Sequence, residues 1–302
     1  MKRSKKKIVL IIVLIIFILL IGTLVLGYNY VNKIKTVPLK VTKEELNISE
    51  EAEEKSKEQK ITNILLLGVD EDENASDAMM ILSLNETTGI VKLASVMRDT
   101  YIYQGEGMAN KLNYEYHYGG VERTISTFNS LFNLDISKYA KVDFNGFSNI
   151  VDTFGGYEVD ITESQRKQIN EKIGYNSLKK SGHVHLTGEQ TQAYARIRLD
   201  DSDFERTSRQ REIMFDIFNK LKEQSIIEYP SIVSNLTSYV ETNLTTMECI
   251  DLGNALLSIS NGTAEEFRIP MDGTTSDSTK GVYHLDWDEE VNIKALQEFI
   301  YG

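Results

Sequence analysis

The stretch ITNILLLGVDEDENASDAMMILSLNETTGIVKLASVMRDT, residues 61–100, decides the fold class. It opens with a short apolar run that ends at Gly68 and Asp70, a pattern typical of a buried strand. Two further apolar segments, MMILSLN and IVKLASV, follow on either side of ETTG. We therefore predict three strands in close succession, two of them joined by a tight turn.

Helical and strand patterns alternate through the rest of the chain. The segment GGVERTISTFNSLFNL places four apolar residues on one helical face. These are Val121, Ile125, Phe128 and Phe132. YAKVDFNGF and YEVDI are typical of strands, and Thr187 with Gln190 forms the capping-box pattern that opens a helix. A longer helix is predicted from about residue 207 to 222. The alternation predicts an α/β domain over residues 60–302.

The N-terminus has the pattern of a membrane anchor. MKRSKKK, residues 1–7, precedes an apolar run that is long enough to cross a bilayer as a helix. The positive charges predict a cytoplasmic tail, a transmembrane anchor over residues 8–27 and an extracellular remainder. A cleaved signal peptide is the alternative, but YNYVNKIK after Gly27 offers no small-x-small cleavage site. Residues 28–59 are highly charged and poor in large apolar residues, so we expect a charged stalk, either helical or disordered.

The charge balance excludes one class of partner. The net charge is −12, and the first 27 residues contribute +5, which leaves −17 for the rest of the chain. A nucleic-acid-binding surface needs a basic footprint, so we expect no nucleic acid partner. Cys249 is the single cysteine, so no intrachain disulfide can form.

Arginines are concentrated in ARIRLDDSDFERTSRQR, residues 195–211, where five of them stand among four carboxylates. Arg196 and Arg198 would share a face in an extended segment. Arg206 and Gln210 are four apart, so on a helix they would lie on one face near its N-terminus, where anions are favoured. Arginine suits the forked recognition of phosphate. The alternative is a surface network in which these arginines pair with the neighbouring carboxylates.

Acidic residues stand where the predicted strands end or begin. Asp70 ends the first strand of the opening stretch, Asp77 begins the second, and Arg98 with Asp99 follows the third. One or two such carboxylates together with phosphate oxygens can hold Mg²⁺. The run from Asp70 is not a calcium loop, because its sixth position is Ala75 rather than glycine.

Six segments, taken in order behind the apolar N-terminus, are similar to those of one family. They are NILLLGVD, SDAMMI, SVMRDTYI, KLNYEYHYGG, VDFNGFSNIVDTFGGYEVDI and LTGEQTQAYARIRLDDSDFERTSRQR. In number and order they resemble the LytR–CpsA–Psr family, whose members are anchored, exported phosphotransferases. Those proteins move a glycopolymer from a polyprenyl diphosphate carrier to cell-wall peptidoglycan, or in some cases to protein. The resemblance implies the same Mg²⁺-dependent activity and partners here, and a layered α-β-α domain with a central mixed sheet.

The resemblance also implies roles for individual residues. Asp70 and Asp77 would hold Mg²⁺. The diphosphate would be bound by Arg98, Arg196, Arg198 and Arg206. Asp203 would correspond to a carboxylate of the same site, with Gln210 near it. An apolar cavity under the sheet would bind the prenyl chain. Asp99 and Asp203 are the candidates for taking the proton of the acceptor hydroxyl.

The chain departs from the family pattern at Ala75, where the family usually carries arginine. We place this position in a polar loop between two strands. Another cation, such as Lys111, could substitute; otherwise the protein would be slower, altered in substrate or catalytically silent. A non-catalytic prenyl-diphosphate-binding protein, or a regulator of cell-envelope assembly, is therefore the alternative function.

Two further groups have structural explanations beside functional ones. His183 and His185 could contribute to a metal site, but a site needs three or four ligands, so we favour a turn or hairpin. Three tyrosines could line an acceptor groove or pack in the core. They are Tyr114, Tyr116 and Tyr118.

Overall fold

We analysed a computed structural model of the chain. It describes residues 35–70, 74–88, 90–103, 109–197, 209, 212–213, 216, 220, 238–245, 248, 264–278 and 283–302. The chain divides into two compact units, of which the first contains Lys35–Val142 with Glu241–Gly302 and the second contains Asp143–Val240. The predicted tail and anchor, residues 1–27, lie outside the described residues. No helix in the described ranges combines the length and the apolar character that a membrane span requires.

The described strands and the described helices are each numbered in chain order. The strands are β1 (Lys35–Thr36), β2 (Ile61–Asp70), β3 (Ala75–Asn85), β4 (Val91–Val96), β5 (Tyr101–Tyr103), β6 (Ala109–Lys111), β7 (Lys138–Asp143), β8 (Tyr157–Ile161), β9 (Gly182–Leu186), β10 (Val240–Thr242), β11 (Ala264–Ile269), β12 (Thr275–Ser278) and β13 (His284–Trp287). The helices are α1 (Glu50–Gln59), α2 (Tyr114–Phe132), α3 (Phe144–Thr153), α4 (Glu163–Ile173), α5 (Gly188–Ala195) and α6 (Glu289–Tyr301).

Seven strands form a central mixed sheet in the order β1-β10-β7-β2-β3-β4-β11. β2, β3 and β4 are antiparallel neighbours, whereas β11 joins β4 and β1 joins β10 in parallel. Alternate residues of β2 point to opposite faces of the sheet, and both Leu65 and Leu66 are fully buried. Both faces are therefore covered, as a layered α/β domain requires. The sequence prediction of an α/β fold with a central mixed sheet is confirmed.

The large apolar side chains of α2 pack into the core beside the sheet. Ile125, Phe128 and Phe132 are fully buried, and Val121 packs against the same core while partly exposed. The helical face predicted from the sequence is therefore confirmed. The helix bends at Gly119–Gly120, where the φ of Gly120 is 62°, a conformation that only glycine adopts without strain.

The prediction of a stalk over residues 28–59 is wrong for its described part. β1 joins the sheet, and α1 buries Ala52 and Ser56. The Ser56 hydroxyl lies 3.0 Å from that of Tyr301 in α6. Ala52 and Ser56 are four apart and small, so one face of α1 approaches its neighbours closely without large apolar side chains. Residues 35–59 therefore belong to the first folded unit.

The second unit has a short hairpin and three described helices. β8 and β9 pair as an antiparallel hairpin that carries both His183 and His185, which confirms the structural interpretation of these histidines. The capping box of Thr187 and Gln190 opens α5 as predicted. Ile213, an inward position of the predicted helix 207–222, is fully buried; most of that segment lies outside the described residues.

Candidate functional site

Asp77 occupies an irregular position in β3. Gly68 pairs with Ala78 and Val69 pairs with Ser76, so Asp77 has no partner of its own on β2. This extra residue is a β-bulge, a feature that redirects a side chain and is common beside functional sites. The carboxylate of Asp77 accepts a hydrogen bond from Nη1 of Arg98, which follows the end of β4.

A buried cluster of charges is built around this contact, and we call it the ion cluster: Asp77, Arg98, Asp99 and Lys111. Asp99 Oδ1 accepts a hydrogen bond from Lys111 Nζ at 2.8 Å, and Asp99 Oδ2 lies 3.4 Å from Arg98 Nε. The exposed fractions of the four side chains lie between 6% and 15%. Solvent screens the charges only weakly there, so each ion is strongly dependent on its partners.

Backbone hydrogen bonds hold the segment 97–100 in place on both sides. The Asn113 amide donates to Arg98 O at 3.1 Å, and the Leu112 amide donates to Thr100 O at 2.8 Å. From another part of the chain, the Leu285 amide donates to Asp99 O at 2.8 Å. The ion cluster is therefore fixed by strands that are far apart in sequence.

Asn113 is a residue of this region that the sequence interpretation missed. Its backbone connects the Arg98 carbonyl to β3, because its own carbonyl accepts from the Ser76 amide. Its side-chain Oδ1 is buried and has no hydrogen-bond partner among the described residues. The motif KLN, in which Asn113 stands two residues after Lys111, was the available signal, but nothing in it distinguishes a buried amide from a surface one.

Asp70 and Ala75 are cross-strand partners at the end of the β2–β3 pair. The carboxylate-bearing Asp70 is only 1% exposed, and so is Ala75. The expectation that Ala75 lies in a polar loop is therefore wrong: it is a buried position of β3, directly opposite Asp70. In the sequence, Ala75 stands between the polar residues Asn74 and Ser76, so the sequence alone did not reveal that Ala75 is buried.

The donor set at this end of the β2–β3 pair fits a hard divalent cation. Mg²⁺ needs one or two carboxylates and takes its remaining ligands from phosphate and water. Asp70 and Asp77 supply such carboxylates at neighbouring strand ends. With Arg98, Asp99 and Lys111 these residues carry three negative and two positive charges, so a doubly negative diphosphate ester needs a further cation beside it. In the described part of the chain no group of three or more His, Cys, Asp or Glu side chains is arranged as a metal site by itself.

Arg196 lies in the second unit, where it is the C-cap of α5. Its guanidinium carbon is 4.4 Å from the centroid of the Phe144 ring, a cation–π contact. Burial lowers the pKa of Lys172, and the nearby charge of Arg196 lowers it further. Two cations therefore create a positive potential at this end of α5.

Of the other polar residues in the segment 195–211, the structure describes Arg209. Arg209 is buried, donates to the Ile197 carbonyl at 2.6 Å and lies beside the ring of Tyr194, so part of it serves the packing of this unit. The other predicted site residues of the segment lie outside the described residues. These are Arg198, Asp203, Arg206 and Gln210.

The structure thus brings together Asp77, Arg98, Asp99 and Lys111. A family model described as the LytR_cpsA_psr family matches residues 23–298 of the chain. The chain belongs to the LytR–CpsA–Psr family. The resemblance drawn from the sequence segments is confirmed.

Named relatives and solved structures agree with this membership. The chain is 33% identical over 281 residues to Bacillus anthracis TagU, named a polyisoprenyl-teichoic acid–peptidoglycan teichoic acid transferase, and the match covers 89% of each chain. The Bacillus mycoides protein of the same name is 35% identical over 282 residues, again with 89% of each covered.

Two solved structures share the fold of this LytR–CpsA–Psr protein. B. subtilis TagV is 26% identical with a TM-score of 0.61, and the match covers 80% of this chain and 98% of that one. TagT bound to LIIa-WTA is 25% identical with a TM-score of 0.62, covering 80% and 91%.

Proposed function

We propose that this protein transfers a glycopolymer phosphate from a polyprenyl diphosphate carrier to peptidoglycan. The observation that carries the proposal is the buried ion cluster, in which Arg98 and Lys111 are held by carboxylates at the end of the sheet. The relatives named as teichoic acid transferases support the same reaction class.

The reaction exchanges one phosphorus–oxygen bond for another. An acceptor hydroxyl oxygen forms a bond to the phosphorus that carries the glycopolymer, and the bond from that phosphorus to the bridging oxygen breaks. Polyprenyl phosphate leaves with the electron pair, and the hydroxyl proton passes to a carboxylate. Negative charge builds up on the oxygens around both phosphorus atoms, so preorganised cations lower the barrier.

Arg98 and Lys111 are suited to that role because neither needs to be ordered or dehydrated during the reaction. Arg98 offers a planar fork that matches two phosphate oxygens, whereas Lys111 offers a point charge. Ala75 replaces the arginine that the family usually carries, and Lys111 supplies a cation in the ion cluster that could take its role. By the family resemblance alone, we propose that Arg196, Arg198 and Arg206 contribute further diphosphate contacts.

We assign Asp99 mainly to positioning. Oδ1 accepts from Lys111 and Oδ2 lies beside Arg98, so both oxygens already orient cations. In this proposal Asp203, the other candidate, receives the acceptor proton.

Asp70 and Asp77 would hold Mg²⁺ when it is bound, and the ion would neutralise charge on the diphosphate. The chain's own contribution is to keep Asp70 buried at the end of β2 and to direct Asp77 by the bulge in β3. We further propose an extracellular position, anchored by residues 8–27, since the apolar run and its preceding positive charges favour that topology.

The test is a transfer assay with the full-length chain, a labelled polyprenyl-diphosphate-linked glycopolymer and purified peptidoglycan. We expect label that stays covalently attached to peptidoglycan and is released by muramidase. Arg98→Ala should lower the rate roughly 10²–10³-fold, as the loss of one charge-stabilising donor does. Lys57→Ala is the control, because the Lys57 side chain is 71% exposed and pairs with its helical neighbour Glu53 at the surface. Tight lipid binding without any covalent product would instead favour the non-catalytic binding protein.

A further inference from the structure

An aromatic surface that is exposed at Tyr103 adjoins the ion cluster. Tyr101 and Tyr103 are both in β5, two residues apart, so they lie on the same face of the β5–β6 hairpin. Tyr103 is 64% exposed, although tyrosine usually buries most of its ring. We call Tyr101, Tyr103 and His284 the aromatic strip.

The register of the hairpin connects the aromatic strip to the ion cluster. Tyr101 is the direct cross-strand partner of Lys111, whose ammonium binds Asp99. Cross-strand partners share one face of a sheet, so Lys111 and the two tyrosines lie along the same face. The surface therefore leads away from the charges to which we assign the reaction.

Tyr101 is held in a fixed orientation. Its ring stacks on His284 with centroids 4.5 Å apart and an interplanar angle of 29°. Its backbone carbonyl accepts from the Trp287 indole at 2.8 Å. A ring that is already ordered loses little conformational entropy when a ligand packs on it.

This combination suits a sugar chain better than other partners. One face of a pyranose ring carries C–H groups that pack on an aromatic ring and exclude water, while hydroxyls at its edge need polar acceptors. The Asp286 carboxylate, half exposed and 3.3 Å from His284 Nε2, supplies such an acceptor at the border of the strip. The same carboxylate repels polyanions at the border of the strip, so an uncharged glycan backbone is favoured there over an anionic polymer.

We propose that the aromatic strip binds the glycan backbone of the acceptor peptidoglycan and positions its hydroxyl toward the ion cluster. This inference rests on the proposed transfer reaction for its functional meaning. The docking itself needs only the surface of the first unit.

The experiment compares Tyr103→Ala, Tyr103→Phe and Tyr175→Ala in the full-length chain. Tyr175 is 57% exposed in the second unit and serves as the matched control. We expect Tyr103→Ala to raise the KM for peptidoglycan about tenfold, the size of one lost ring contact, with an unchanged KM for the lipid-linked donor. Tyr103→Phe should behave like the wild type because stacking needs the ring and not the hydroxyl.

A second measurement separates this inference from the transfer reaction. A soluble peptidoglycan glycan fragment without attached polymer is titrated against each variant in the absence of donor. Weaker binding by Tyr103→Ala alone supports the docking surface even if the wild type transfers nothing. Unchanged binding and an unchanged acceptor KM in Tyr103→Ala would overturn the inference while the transfer reaction stands, and so would an effect on the donor KM instead.

Discussion

The ion cluster makes the substitution Asp99→Asn the most informative change to this protein. Asp99 contacts two cations, with Lys111 Nζ at 2.8 Å and Arg98 Nε at 3.4 Å. Asparagine keeps the shape but removes the charge, so Lys111 would stay buried beside a neutral group. Asp99 and Lys111 expose 6% and 15% of their side chains, so solvent compensates little.

The expected size follows from what buried ion pairs contribute. Removing one partner of a buried pair costs about 3–5 kcal/mol. Arg98 keeps its contact with Asp77, so we take the lower limit, about 3 kcal/mol of free energy of unfolding. For a chain of this size this corresponds to a decrease in Tm of about 6–12 °C.

The assay is thermal and urea unfolding of four proteins: wild type, Asp99→Asn, Lys111→Met and the double variant. We expect the double variant to be less destabilised than the sum of the single variants by about 2 kcal/mol, because it leaves no unpaired buried cation. Asp272→Asn is the control, since Asp272 pairs with Arg268 at the surface and should cost less than about 1 kcal/mol. Additive single effects, or an Asp99→Asn variant as stable as the control, would refute the view that the cluster is a coupled buried network.

Two further outcomes follow from other buried groups. Ala75→Arg should reduce the free energy of unfolding by about 1–3 kcal/mol through overpacking, because Ala75 is buried opposite Asp70. For the same reason it should not improve diphosphate binding. Urea unfolding and lipid titration check both expectations, and a stable variant with tighter binding would contradict them. Burial raises the pKa of Asp135 although Asn63 donates to it, so the folded protein loses stability as pH rises from the unfolded pKa of about 3.9 through the folded pKa. Asp135→Asn should therefore raise the free energy of unfolding near neutral pH and leave it unchanged at about pH 3, and equal gains at both pH values would contradict this assignment.

The sequence by itself determined the local elements and the residue types of the site. The apolar runs of β2, β3 and β4 predicted strands because their side chains can be buried only in a layered sheet. The capping box at Thr187 fixed the start of α5, since its hydrogen bonds are made within four residues. Asp70, Asp77, Arg98 and Asp99 were found as candidates because they stand at strand ends.

Only the tertiary structure decided which of these groups meet. β11 lies beside β4 although more than 160 residues separate them in the chain, and Asp99 binds Lys111 from a different strand. The bulge that leaves Asp77 without a partner depends on the register of β2 against β3. Likewise, Ala52, Ser56 and Ala75 are buried because of what packs around them. Local patterns fix φ, ψ and the period of a segment, whereas pairing register, burial and ion contacts come from the free energy of the whole packed chain.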